Sequence, residues 1–376
     1  MVPPLARERE RWRPMSTATR SSLIGTLIIL VAPIILCVAI SETLGVRLID
    51  RITTILCINL VLVLGLQVFM GNSGILSFAH VGFMGIGAYT SAVLSMPLQM
   101  KGMALPDLYP IMKAIEISPY LGMVLGGLAA AFVAAVVSYP LMRLSDAAAV
   151  ITSFALLVVL HTIMVHWHHV TNGPRTLFGV QSATTLYLAA GVAIVMTAIA
   201  LLFRESRTGI LLRAARDDEV AAGAIGTNIS NMRWRGFVLS AFMAGIGGAL
   251  WAHFITSFSP KAFYLHETFV ILGMLVIGGA RTVSGAVLGT FAVSAAFELL
   301  RFIENSINVS GALPFQLRGL TEIALACAMI GILSLRPSGI IATRELAPPD
   351  ALRRRLPGHR FTHSKPDHSV DKGGTQ

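Results

Sequence analysis

The chain has 376 residues, of which 55% are hydrophobic and only 13% are charged, and its mean hydropathy is +0.73. These values exclude an ordinary soluble domain and indicate a protein that crosses a membrane several times. The net charge of +10 comes from basic residues dispersed between apolar runs. Because no recognisable nucleic-acid-binding module accompanies that charge, we expect no nucleic acid as a partner.

Transmembrane helices are predicted from the apolar runs, since a helix needs about 20 mostly apolar residues to cross the hydrocarbon layer. The runs predict about ten spans, within a range of roughly eight to eleven, at residues 23–40, 48–70, 81–96, 120–141, 147–165, 185–203, 236–254, 268–277, 286–300 and 320–335. The run 268–277 would span only if residues 278–284 continued it. The predicted fold class is an all-α polytopic membrane protein with discontinuous, glycine-rich helices.

Orientation follows from the lysine and arginine residues, most of which fall on one side of the ten-span arrangement. Positively charged loops stay in the cytoplasm, so both termini are predicted to be cytoplasmic, with anionic membrane lipid beside the basic loops. The predicted division is a cytoplasmic tail at 1–22, a transmembrane domain at 23–340 with a cytoplasmic loop at 204–235, and a tail at 341–376. This last tail has too few apolar residues to pack and is predicted to be disordered.

A polar, glycine-rich segment interrupts the apolar sequence between the second and third runs, and it contains Asn72, Ser73, Gly74, Ser77 and His80. Hydrocarbon offers no hydrogen-bond partner to such a segment, so it needs protein or water around it. A second glycine-rich segment, which contains Gly278 and Gly279, lies in the opposite half of the chain. Interrupted helices in matching halves indicate a translocation path. Close helix packing is the alternative explanation, and it weighs more for the second segment.

The longest charged stretch between spans is 204–235. Within it, Asp217, Asp218 and Glu219 precede alanines, which predicts a short helix with acidic residues in its first turn and an end at Gly226. One interpretation is a solvated loop helix. The other is a docking helix, whose small residues let a partner protein approach while flanking arginines contact it.

Several motifs carry a resemblance to a known family. Residues 74–90 read GILSFAHVGFMGIGAYT, residues 215–222 read ARDDEVAA, residues 275–279 read LVIGG and residues 336–340 read RPSGI. In this order they resemble the branched-chain amino acid ABC importer permeases of the LivM type. The resemblance covers most of residues 72–340.

The resemblance implies a multi-pass permease of the bacterial inner membrane that carries branched-chain amino acids or a related small polar solute. The implied partners are a second, LivH-like permease subunit, cytoplasmic ATP-binding subunits and a periplasmic solute-binding protein. Many ABC importers have a coupling helix that reads Glu-Ala-Ala, with glycine four residues later. Coupling to the ATPase is therefore expected at Arg213, Arg216, Asp218, Glu219, Ala221, Ala222 and Gly226, although Glu219 stands one position early.

The sequence contains no Gly-x-x-x-x-Gly-Lys-Ser/Thr phosphate loop. We therefore expect a transport subunit without its own ATPase site, and neither a cofactor nor a catalytic residue. Energy for transport would come from the partner subunits.

Other functions remain open at this stage. A urea or amide importer would share the architecture, and an ion-coupled secondary carrier would use Glu298, Glu322 or His80 as its proton site. A membrane-embedded enzyme would use His166, His168 and His169 as metal ligands, yet no carboxylate or thiol lies nearby in sequence, so no metal is expected. Glu298 has a simpler role, because Arg301 lies three residues further along the same predicted helix and can pair with it.

Overall fold

The computed structural model describes residues 17–144, 146–310, 319–335, 339–341 and 345. Within these residues the chain is helical, apart from its turns and one isolated antiparallel bridge between Leu177 and Phe258. The predicted all-α class is confirmed. Residues 1–16 of the predicted amino-terminal tail, residues 336–338 of the RPSGI motif, most of the tail 341–376 and the side chain of Glu322 lie outside the described residues.

Fifteen α-helices occupy the described chain: α1 (Thr17–Leu44), α2 (Arg47–Ser73), α3 (His80–Ser95), α4 (Leu98–Ala104), α5 (Pro110–Lys113), α6 (Pro119–Leu141), α7 (Asp146–His166), α8 (His168–Thr171), α9 (Leu186–Glu205), α10 (Arg207–Asp217), α11 (Glu219–Ala224), α12 (Ile229–Ile255), α13 (Leu265–Gly278), α14 (Val283–Ser310) and α15 (Leu320–Leu335). A 3-10 helix, Pro260–Phe263, precedes α13. Helix α1 begins within the predicted tail 1–22, at Thr17.

Each of the ten predicted runs lies in a helix, and seven of these helices are long and apolar enough to cross a membrane: α1, α2, α6, α7, α9, α12 and α14. Helices α3, α13 and α15 have 16, 14 and 16 residues. At 1.5 Å per residue they measure about 21–24 Å, less than the ~30 Å hydrocarbon layer. Residues 279–282 form a turn, so 278–284 does not continue α13. The polytopic architecture stands, and the number of ten spans remains a prediction.

Helix α12 lies at the centre of the bundle, where it packs against α2, α3 and α6. Glycines make this packing close: a Cβ atom at Gly87 of α3 would lie 2.1 Å from the carbonyl oxygen of Gly245 in α12. A Cβ atom at Gly248 would lie 2.0 Å from the carbonyl oxygen of Met84. Small residues let membrane helices approach in this way. Helix α3 therefore packs mainly against α12, and not against α2, the helix that precedes it in sequence.

The bundle has two distinct ends. Helix α12 starts beside α11, where Arg233 contacts Glu219, and we call this the coupling end. Helix α12 finishes at the opposite end, where the buried His253 ring contacts Ser91 of α3 through Nε2 and Oγ at 2.9 Å. The predicted pair of Glu298 and Arg301 in α14 is confirmed, with 3.0 Å between Oε1 and Nη1.

Candidate functional site

The first predicted helix break is present between α2 and α3. Helix α2 ends at Ser73, and Gly74 follows in the left-handed region with φ of 76°, where glycine is favoured because it lacks a Cβ atom. The Gly74 N–H donates to the carbonyl oxygen of Met70 at 2.9 Å. Residues 74–79 are non-helical, and α3 starts at His80. We call residues 74–79 the hinge segment.

The polar residues before the hinge segment cap the end of α2. Buried Asn72 donates from Nδ2 to the carbonyl oxygen of Val68 at 2.9 Å. Ser73 donates to Phe69 at 2.8 Å and accepts the Ile75 N–H at 3.2 Å. Their hydrogen-bonding groups are therefore used within the α2 terminus, which stabilises the break.

The hinge segment turns back into the bundle. His80, at its far end, contacts the Ser240 hydroxyl of α12 through Nε2, and Ser240 donates to the carbonyl oxygen of Gly65 in α2. Gly65 precedes the end of α2 by two helical turns, so α3 starts at a level well inside the bundle. The Phe78 N–H also donates to Ser153 of α7 at 3.2 Å, which ties the hinge segment to a fourth helix.

Three buried side chains around the hinge segment carry polar atoms with no hydrogen-bond partner among the described residues. They are the hydroxyl of Ser77, Nδ1 of His80 and both amide atoms of Gln67. Leaving such groups unpaired costs about 1–3 kcal/mol each, so a polar partner for them would stabilise this part of the bundle. Sequence reasoning missed Gln67, although an amide within the apolar run 48–70 was the available signal.

The second glycine-rich segment makes the tight turn between α13 and α14. A Cβ atom at Gly278 would lie 2.0 Å from the carbonyl oxygen of Gly285, and Gly279 has φ of 116°. These two glycines therefore serve close packing and a turn. A Cβ atom at Gly71 would lie 2.3 Å from the carbonyl oxygen of Ala280, so the turn directly contacts the end of α2. The structure thus brings the two predicted segments together.

The charged stretch contains two complete helices, α10 and α11, between the end of α9 and the start of α12. The backbone is extended at Asp218, whose carboxylate accepts the Ala221 N–H at 2.9 Å and so caps α11. Glu219 lies in the first turn of α11, where an acidic residue is favoured by the helix dipole. Gly226 follows the helix end with φ of 81°. The predicted short helix and its glycine end are confirmed, but of the three predicted acidic residues only Glu219 lies in its first turn, since Asp217 ends α10 and Asp218 caps α11.

Two predicted coupling arginines contact this chain's own backbone. Arg216 donates from Nη1 to the carbonyl oxygen of Gly71 at 2.6 Å, three residues before the hinge segment begins. Arg213 donates to the carbonyl oxygen of Arg204 at 2.7 Å. Partial burial, and then the neighbouring charge of Arg204, lower the pKa of the Arg213 guanidinium. These arginines therefore join α10 to α2 and α9.

Glu219 forms a bidentate ion pair with Arg233 of α12. Arg233 donates from Nη1 to Oε1 at 3.2 Å and from Nη2 to Oε2 at 2.8 Å. The Arg233 side chain is only 6% exposed, so its charge depends on this partner. The pair fixes α11 against α12, a role that the sequence pattern did not indicate.

The outer face of α11 is apolar and exposed. Val220 and Ile225 are 84% and 74% exposed, and Ala221 and Gly223 lie between them on the surface. Ala222 points the other way and is buried. An apolar face with small residues, outside the apolar helices, is a surface that a partner protein can cover.

Glu345 links three parts of the coupling end. Its carboxylate accepts the N–H groups of Val283 and Ser284 at 2.7 and 2.9 Å, at the start of α14. It also pairs with Arg204 at the end of α9, with 2.7 Å between Oε1 and Nη1. Nearby, Ile341 donates its N–H to the carbonyl oxygen of Gly278 at 3.0 Å. These two residues of the predicted disordered tail make specific contacts.

Reversing the Glu219–Arg233 pair tests its role. We expect Arg233→Glu alone to lower the free energy of unfolding by about 3–5 kcal/mol, as measured by thermal unfolding in detergent, because a poorly solvated carboxylate then faces Glu219. The double variant Glu219→Arg, Arg233→Glu restores the opposite charges and should recover most of that stability. Equal loss in the single and double variants would contradict this role, and Arg235→Glu, two residues further along α12, serves as the control.

The fold and site define a class of protein: a multi-pass helical membrane protein with a broken helix inside the bundle and a surface helix joined to it through Arg216. Residues 48–318, more than half of the chain, match the family model described as "Branched-chain amino acid transport system / permease component". The chain belongs to this family. It is a permease of an ABC importer in the bacterial inner membrane, a transport subunit and not an enzyme.

Individual relatives agree with this family. The chain is 26% identical over 332 residues to the high-affinity branched-chain amino acid transport system permease protein LivM of Escherichia coli K12, covering 79% of this chain and 74% of the relative. It is 26% identical over 298 residues to LivM of Salmonella typhimurium, covering 70% and 66%. The nucleoside ABC transporter permease NupC of Lactococcus lactis is 31% identical over 102 residues, covering 27% and 31%. No solved structure matches the chain.

Proposed function

We propose that this chain forms part of the translocation path for branched-chain amino acids, beside a second, LivH-like permease subunit. The relatives that cover most of the chain are permeases named for branched-chain amino acid transport, which supports this solute class. Cytoplasmic ATP-binding subunits would supply the energy, and a periplasmic solute-binding protein would deliver the solute. The charge distribution supports ten spans with both termini and the coupling end in the cytoplasm.

The coupling helix in this proposal is α11, with its exposed face of Val220, Ala221, Gly223 and Ile225 against an ATP-binding subunit. The single observation that carries the proposal is the 2.6 Å hydrogen bond from Arg216 to the carbonyl oxygen of Gly71. It joins α10, which adjoins α11, to Gly71 in the last turn of α2, three residues before the hinge segment. If an ATP-binding subunit displaced α11, α10 would move with it, and the Arg216–Gly71 hydrogen bond would transmit this movement to the end of α2.

The translocation path in this proposal passes the hinge segment. Asn72, Ser73 and Gly74 hold the break, while the unpaired groups of Ser77, His80 and Gln67 would bind the solute or water that the path admits. Gly278 and Gly279 would act indirectly, because the turn that they form packs through Ala280 against Gly71, at the end of α2. An amino acid carries two opposite charges, and neutral dipoles bind it without trapping it.

Transport by the reconstituted complex tests the proposal. The chain, a LivH-like subunit, ATP-binding subunits and a binding protein are incorporated in vesicles with ATP, and uptake of labelled leucine, urea and a nucleoside is measured. We expect leucine accumulation that continues when a protonophore collapses the proton gradient. Uptake of urea or the nucleoside in place of leucine would contradict the solute class. Loss of uptake with the proton gradient, while ATP persists, would favour a secondary carrier.

A further inference from the structure

A charged cavity lies at the end of the bundle opposite the coupling end. It is an open cleft with a volume of about 750 Å³, and it is bordered by the turn between α1 and α2, the start of α9 and the last residues of α12. A cavity of this volume holds a small ligand or a lipid headgroup. None of the residues assigned above to coupling or to the translocation path lines it.

The cavity is lined by charges of both signs. Arg47 and Arg51 lie four residues apart, on one face of α2, and Glu42 and Asp50 also line the cavity. Among the ion pairs of the described chain, none includes any of these four side chains. The cavity therefore presents positive and negative groups whose charges are not neutralised by an ion pair within the described chain.

The acidic side of the cavity is pre-organised. Asp50 accepts a hydrogen bond from Ser41, a fully buried residue of α1 that also lines the cavity. Thr54, which is buried one turn further along α2, donates to the backbone carbonyl of Asp50 at 2.7 Å. The Ser41 contact holds the Asp50 carboxylate before any ligand arrives, so less conformational freedom is lost on binding.

We infer that this cavity binds a zwitterion, with Arg47 and Arg51 holding its acidic group and Glu42 and Asp50 holding its ammonium group. Paired guanidinium groups match the oxygens of a phosphate or carboxylate, and carboxylates match an ammonium. Two zwitterions with these groups can reach the cavity from the outer side of the inner membrane: the headgroup of phosphatidylethanolamine and a free amino acid. The amino acid source rests on the proposed function, whereas the lipid source does not.

The assembled transporter, purified in detergent after mild washing, tests the inference by native mass spectrometry. Added phosphatidylethanolamine is compared with phosphatidylglycerol, which has the phosphate but lacks the ammonium, and binding of labelled leucine is measured by equilibrium dialysis. We expect the double variant Arg47→Gln, Arg51→Gln to bind either phosphatidylethanolamine or leucine at least about tenfold more weakly than the unchanged transporter does. The matched control is Arg175→Gln, an exposed arginine that does not line the cavity.

The outcomes separate the sources. Loss of phosphatidylethanolamine alone assigns the lipid headgroup, and loss of leucine alone assigns the free amino acid. Unchanged binding of both overturns the inference, as does equal retention of phosphatidylglycerol and phosphatidylethanolamine with no leucine bound. Glu42→Gln, at an exposed position, should weaken the same zwitterion while thermal unfolding stays unchanged, which excludes general misfolding. A transporter that binds phosphatidylethanolamine here but does not carry leucine would remove the proposed solute and leave this site intact.

Discussion

A transporter in which Gly74 is replaced by leucine (Gly74→Leu) is expected to insert into the membrane but to lose ATP-driven uptake. We expect at least an approximately tenfold fall, because left-handed backbone costs a leucine about 1–2 kcal/mol. The side chain would also collide with Arg216, since a Cβ atom at Gly74 would already lie 2.5 Å from the Arg216 Cγ atom. The guanidinium would then leave the Gly71 carbonyl, and α10 would lose its connection to the broken helix.

The measurements are membrane insertion by fractionation, assembly by co-purification and uptake in vesicles. Gly191→Leu is the matched control, because a Cβ atom at this glycine of α9 would have open space around it. Gly74→Ala should give an intermediate loss, since alanine shares the backbone strain but has a smaller side chain. Normal uptake by the Gly74→Leu variant would remove the hinge segment from the path.

The double variant Val220→Asp, Ile225→Asp is expected to prevent co-purification of the ATP-binding subunits. Val220 stands on the exposed face of α11, Ile225 directly follows this helix, and both side chains are exposed. A partner that covers this face would have to bury two carboxylates, which costs several kcal/mol and weakens association by about a hundredfold or more. Folding should be unaffected, because neither side chain is buried within this chain.

Co-purification through a tag on this chain measures the effect, with thermal unfolding as the test of integrity. Ile111→Asp provides the control, because Ile111 of α5 is 78% exposed on a short helix that lies in no predicted span. Should the ATP-binding subunits remain attached to the Val220→Asp, Ile225→Asp variant, α11 would not be their docking helix.

Local features of this fold could be predicted from the sequence because they depend on short-range physics. Apolar runs placed the helices, as in 320–335, which coincides with α15 (Leu320–Leu335). Gly74 and Gly226 both take positive φ at predicted helix ends. The break after residue 73 was visible because polar residues stand where apolar ones were required.

Long-range pairing could not be predicted, since nothing in the spacing of residues records it. His80 meets Ser240 across 160 positions, and Arg216 meets Gly71 across 145. Arg216 was expected to contact a partner protein, because a basic residue between spans is ordinarily exposed to solvent and therefore accessible to a partner. The structure instead places its guanidinium against the backbone of α2. The depth of the hinge segment in the bundle could not be predicted either, because it depends on tertiary packing. Helix α3 packs closely against the glycines of α12 and makes few contacts with α2.

One carboxylate, that of Glu345, lies where the end of α9, the start of α14 and the chain beyond α15 meet. A protein engineered to end before this residue would leave Arg204 with only its 3.9 Å pair to Glu205, and it would remove the carboxylate that accepts the backbone N–H groups of Val283 and Ser284. Affinity tags or fluorescent fusions for this transporter are therefore better attached downstream of residue 345, so that the contacts of Glu345 with α9 and α14 are kept.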